Sequence, residues 1–155
     1  MKRCVLIPLL LALFVVGVFP ATVDTVSVFS KKMEKEIKTV VIKPQSYDEE
    51  NTFPVLYLLH GYSDRYDGWV NKVPKIKELS DQYGMIIVCP DGAFGSWYFD
   101  SPVDPAFQFE TFVSKELITW VDNNYKTVAS REGRAITGLS MGGHGGLYLA
   151  FRNQD

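Results

Sequence analysis

Residues 134–143 read Arg134-Ala135-Ile136-Thr137-Gly138-Leu139-Ser140-Met141-Gly142-Gly143. Within them Ala135 to Leu139 has the composition of a buried strand, and Met141 to Phe151 reads as a helix. Between the two lies Gly138-x-Ser140-x-Gly142, a pattern in which a strand turns sharply into a helix. A serine at such a turn is pushed out of the backbone, and its hydroxyl stands at the carboxyl edge of the sheet. Gly138 and Gly142 suit the turn because it is too tight for flanking side chains and its strained angles favour a residue without Cβ. The pattern alone occurs by chance in roughly one chain in twenty of this length. The strand-turn-helix setting is what selects Ser140 as a nucleophile over a glycine-rich packing turn.

The wider composition is that of a globular α/β protein. It is 46% hydrophobic and 22% charged, with net charge −2. The basic footprint of a nucleic-acid binder is absent, and 155 residues suit one domain. Met1-Lys2-Arg3 followed by the apolar run Val5 to Phe19 has the plan of a secretory signal. The run is shorter than the ~20 residues a membrane helix needs. Residues 1–21 are therefore expected to be a signal peptide with an uncertain cleavage site, and 22–155 the domain. Export to the periplasm or medium follows, with membrane contact only if the segment stays uncleaved. Cys89 would then be the one cysteine left, a small buried hydrophobe with no intrachain disulfide.

Asp24 to Ser30 and Lys35 to Lys43 alternate polar and apolar residues around the polar Lys31 to Glu34, and predict an antiparallel strand pair. Val55 to Leu59 and Met85 to Cys89 have no polar face, as expected of strands buried on both sides. Pro74 to Tyr83 predicts a helix with Ile76, Leu79 and Tyr83 on one face and Gly84 as terminator. Phe109, Phe112, Val113, Leu117, Trp120 and Val121 recur at helical spacing through about Tyr125 and read as core packing. Strand pair, then strand, helix, strand, helix, strand, helix is the order of an α/β sheet with helices on both faces. Ligands bind such sheets beyond the carboxyl ends of the strands. There the chain carries His60-Gly61, Asp91-Gly92 and Ser140, so one site is predicted at one edge.

A serine hydroxyl needs a base and donors for the oxyanion. The backbone N–H of Met141, at the start of the elbow helix, is one predicted donor. The second comes from the loop His60-Gly61-Tyr62, with Tyr62 preferred and Gly61 next. No cofactor is called for: the glycines at 142, 143, 145 and 146 make neither a phosphate loop nor a dinucleotide fingerprint, and no histidine pair has metal-ligand spacing.

Leu58-Leu59-His60-Gly61, Asp67-Gly68-Trp69, Pro90-Asp91-Gly92, Ser96-Trp97-Tyr98 and Gly138-Leu139-Ser140-Met141-Gly142-Gly143 occur in this order. Together they resemble the esterase family that includes feruloyl and acetyl-xylan esterases, tributyrin-type esterases, S-formylglutathione hydrolases and mycolyltransferases. The resemblance runs from about Asp24 to the end. It implies an α/β-hydrolase fold, a mostly parallel sheet behind the antiparallel N-terminal pair, and an acyl-enzyme on Ser140. It also implies oxyanion roles for Tyr62 and Met141, and a small-molecule or carbohydrate-linked ester as substrate. Export sets the chain apart from cytosolic glutathione-linked members. Trp97 and Tyr98, in the aromatic loop from Phe94 to Phe99, either pack on a sugar or phenolic group or cover the sheet edge.

In α/β-hydrolases an Asp or Glu and then a His follow the serine. Here fifteen residues follow Ser140, and the two histidines are His60 and His144. His60 precedes the serine and is expected to shape the oxyanion loop by hydrogen bonding. His144 falls on the helix behind the elbow, away from the exposed hydroxyl. The expectation is an N-terminal piece of a longer esterase, truncated after the elbow helix, with an open apolar sheet edge and little activity alone. The alternative is a non-catalytic module binding carbohydrate or a partner chain.

Overall fold

Alternating polar and apolar residues pair the first two strands as a long hairpin, and the solvated face expected of both holds only for the first: Thr39 to Ile42 of the second are all buried, because that strand packs on both sides of the sheet. In the computed structural model, which describes residues 20–154, β1 (Thr22–Ser30) pairs antiparallel with β2 (Lys35–Lys43), from Thr22 opposite Lys43 to Ser30 opposite Lys35. Most of the expected signal segment lies outside the described residues. Ala21 does not: it is buried, and its N–H donates to Asp81 Oδ2 at 3.2 Å. The hairpin turn is held from across the fold. Glu116 accepts from the Ser30 hydroxyl at 2.6 Å and from the Lys32 N–H at 2.9 Å.

The apolar strands β3 (Val55–Leu59) and β4 (Ile86–Pro90) occupy the middle of a five-stranded sheet of order β1-β2-β4-β3-β5. β3 runs parallel to β4 and to β5 (Arg134–Gly138), whereas β2 is antiparallel to both β1 and β4. Central strands without a polar face must be covered twice. On one side Ile76 closes over Val40, Ile42, Leu58, Ile87 and Cys89, joined by Trp69 and Val70. These come from α1 (Gly68–Lys72) and α2 (Ile76–Tyr83). The other side is covered by α3 (Phe109–Thr111), a π-helical stretch Phe112–Leu117, α4 (Ile118–Asn124) and α5 (Met141–Arg152). Phe112, Leu117, Val121 and Leu149 pack there on Tyr57, Leu59 and Val88.

The structure corrects three further readings of the sequence. α2 starts at Ile76, after Pro74, and its core face is Ile76 and Ser80, while Leu79 and Tyr83 are exposed. The Ser80 hydroxyl is satisfied by donating to Met85 O at 2.7 Å, which lets a polar residue face inward. The helical run from Phe109 widens to π winding in its middle, and apolar residues four apart fit either winding. β5 is not a buried strand. It lies at the edge of the described sheet, where Ala135 and Thr137 are exposed and Ile136 is half-buried, because one flank pairs with β3 and no strand among the described residues lies on the other. Gly84 ends α2 in the left-handed conformation, φ +57°, as its position predicts.

Candidate active site

β3, β4 and β5 run parallel, so the residues after them come out at one edge, and they touch. Leu139 N–H donates to Leu59 O at 3.3 Å, joining the end of β5 to the end of β3. The indole N–H of Trp69 donates to the same carbonyl at 3.2 Å. Gly92 N–H, just past β4, donates to His60 Nε2 at 2.8 Å.

Ser140 sits between β5 and α5 with φ +54° and ψ −114°, a strained conformation for a residue with a Cβ, and it is exposed. The glycines beside it are demanded by close approach of backbone. A Cβ on Gly142 would lie 2.7 Å from His60 O and 2.6 Å from Leu59 C, with Leu59 O nearer still. A Cβ on Gly138 would meet Leu59 O at 2.5 Å and Gly142 C at 2.6 Å. Bare backbone at both positions lets β5, the turn and α5 press onto the end of β3. Met141 is the first residue of α5, so its N–H belongs to the turn that a helix leaves without internal acceptors.

The loop after β3 is brought to the same place. A Cβ on Gly61 would be 3.3 Å from Leu139 O and 3.7 Å from Ser140 Cβ, so Gly61 lies alongside the turn that carries the serine. His60 is buried and joins this loop to the one after β4, one ring nitrogen bonded to each. Nε2 accepts from Gly92 N–H, so Nδ1 carries the proton and donates to Gly61 O at 2.8 Å. Asp91 Oδ1, 3.9 Å from Nε2, accepts instead from Ala93 N–H at 2.7 Å. Further along the loop Asp64 pairs with Lys72 at 2.8 Å. Burial would raise the Asp64 carboxyl, but hydrogen bonds from Lys72 and from the Arg65 N–H bring it below its ordinary value.

Trp97 and Tyr98 separate. Tyr98 is fully buried and is no substrate contact. Its hydroxyl donates to His60 O at 3.1 Å, and its ring fills the space that a Cβ on Gly92 (2.5 Å) or on Gly145 (2.8 Å from Cγ) would need. Burial drives its phenol well above the ordinary range. Tyr98 thus ties the ends of β3 and β4 to α5, a role visible only once those elements are packed. Trp97 remains 43% exposed. Its ring packs edge-on against His144 at 5.5 Å between centroids, and Phe99 does the same at 5.2 Å. Beside them a concavity of about 510 Å³ is lined by Trp97, Phe99, Phe107, Tyr148, Asp100 and Asp104. A second groove of about 440 Å³ runs along β5 past Tyr57, Ile136 and Leu149, and Ser140 lines neither of the two. Among the described residues, no hydrogen bond joins the Ser140 hydroxyl to a histidine or a carboxylate; the bond between Ser140 and His144 is a backbone one, the serine carbonyl accepting from the His144 N–H at 3.0 Å. His60 is committed to its loop, and His144 is enclosed by aromatic rings.

A strained serine between a parallel strand and a helix, with glycines beside it, has the geometry of the strand-turn-helix motif of α/β-hydrolases. The family described as "Putative esterase" matches residues 30–155, and the chain belongs to it. It is 39% identical over 114 residues to an esterase of Mycobacterium tuberculosis, covering 71% of this chain and 25% of that protein. It is 33% identical over 131 residues to the acetyl esterase of Caldicellulosiruptor saccharolyticus, covering 79% and 48%. Among solved structures, a ferulic acid esterase superposes with TM-score 0.78 at 32% identity, over 88% of this chain and 56% of that one. The chain thus spans from a quarter to about half the length of these curated relatives.

Proposed function

We propose that the intact protein is an exported serine esterase. Ser140 Oγ attacks the ester carbonyl and a base takes its proton. The carbonyl oxygen becomes an oxyanion held by the N–H groups of Met141 and Tyr62, and the alcohol leaves with a proton returned by the same base. Water then repeats the sequence on the acyl-enzyme and frees the acid. The base and its orienting carboxylate are neither His60 nor His144, and come from outside residues 20–154. One observation carries this reading: the φ +54° of Ser140 at the strand-to-helix turn. Relatives named acetyl esterase and ferulic acid esterase favour a small acyl or a phenolic acyl ester, free or linked to carbohydrate.

In the intact protein Ser140→Ala abolishes hydrolysis of 4-nitrophenyl acetate and leaves the circular dichroism spectrum unchanged. Activity surviving that substitution refutes the mechanism. Replacing Tyr62 by Pro, which deletes its N–H, lowers kcat more than it raises KM. A loss in KM alone would reassign the loop to binding.

A further inference from the structure

We propose that His144, one helical turn after Ser140, is a positioning residue that holds Trp97 and Phe99 as an aromatic wall, and that this wall selects esters carrying a planar ring. The inference rests on the esterase reading and concerns its selectivity. His144 stands one helical turn after Ser140, and its N–H donates to Ser140 O at 3.0 Å. Its ring meets Trp97 and Phe99 edge-on and stacks on Tyr148 at 5.8 Å with 15° between planes. Tyr148 also meets Phe99 edge-on at 4.7 Å, and its hydroxyl is anchored by donating to Glu110 at 2.8 Å. Two of these rings need outside support. Trp97 is followed by Tyr98 in the same left-handed conformation, φ +54° and +61°, which persists only where surrounding contacts over-determine it. Buried Tyr98 supplies that on one side of the loop and His144 on the other. Trp97 and Phe99 keep about two-fifths of their surface exposed, so each is gripped on one face and free on another. The His144 Nδ1 is buried without a partner, so an internal hydrogen bond does not explain the ring, and its shape is what the wall uses.

The ring that the wall receives belongs either to the acid or to the alcohol of the ester. Methyl ferulate, phenyl acetate and ethyl acetate separate the two sources from a ring-free ester. In the intact protein, His144→Ala lowers kcat/KM for whichever ring-bearing ester the wall receives by roughly five- to tenfold relative to ethyl acetate, mainly through KM. His144→Phe, which restores a ring without nitrogens, keeps the wild-type ratio. A binding measurement removes dependence on turnover: ferulate and phenol are titrated calorimetrically into Ser140→Ala and into Ser140→Ala/His144→Ala. One of the two ligands loses roughly five- to tenfold in affinity in the double variant. That loss stands even if the wild type turns over no ester, in which case the esterase reading fails alone. An equal drop on all three esters, an unchanged ring preference in His144→Ala, or a phenylalanine variant as impaired as the alanine one overturns the proposal.

Discussion

Gly142→Ala adds a single methyl group where the structure has no room for one. The new carbon would lie 2.7 Å from His60 O and 2.6 Å from Leu59 C, closer than carbon approaches such atoms, and both neighbours are backbone. Neither can rotate away, so β3 and α5 must separate by several tenths of an ångström. Overpacking of this kind costs about 1–3 kcal/mol. With a urea dependence of about 2 kcal/mol per molar, the unfolding midpoint falls by about 1 M. The separation also carries Met141 away from Tyr62, and displacing one oxyanion donor costs roughly 100- to 1,000-fold in kcat. The control is the next residue. A Cβ on Gly143 meets Gly138 O at 3.3 Å, a contact relieved by a small shift, and alanine is favoured over glycine in a helix by up to about 1 kcal/mol. Gly143→Ala is therefore near neutral in urea unfolding and retains activity. If the two variants lose equal stability, the close approach of Gly142 to the end of β3 is not what requires glycine there.

Tyr98→Phe leaves His60 O buried without its donor and costs about 1–3 kcal/mol in urea unfolding; a neutral result would mean that the carbonyl finds another donor. Burial would raise the Glu110 carboxyl, yet bonds from Arg152, Tyr148 and Asn153 together hold it below its ordinary value. A depressed folded pKa stabilises above the unfolded value of about 4.3 and is lost as pH falls through the folded one. The stability gap between wild type and Glu110→Gln is thus present at pH 7 and shrinks at pH 3, and a constant gap contradicts the assignment. Burial pushes the Cys89 thiol up to about 12. In a Cys4→Ser background a thiol reagent labels it only in denaturant, and rapid labelling of the folded protein would show that β4 opens locally.

Elements that depend on local period were legible from the chain. Val55–Leu59 and Ile86–Pro90 announce buried strands by lacking a polar face, and the hairpin of β1 and β2 follows from its alternation. The Gly138-x-Ser140-x-Gly142 turn declares itself because its strain is local and only certain residues tolerate it. The His60-Gly61 motif marks His60 as a residue of the loop after β3, and its ring bonds to Gly61 O within that loop and to Gly92 N–H after β4. Tertiary structure alone decided that β4 lies between β2 and β3, and that Tyr98 faces inward while Trp97 faces outward. It also decided that His144 belongs to an aromatic wall held by Glu110, a residue thirty-four positions away (144 − 110). These facts depend on which surfaces meet across large separations in sequence. Neither periodicity nor local strain records such pairings, whereas both determine the strands, the helices and the turn that carries Ser140.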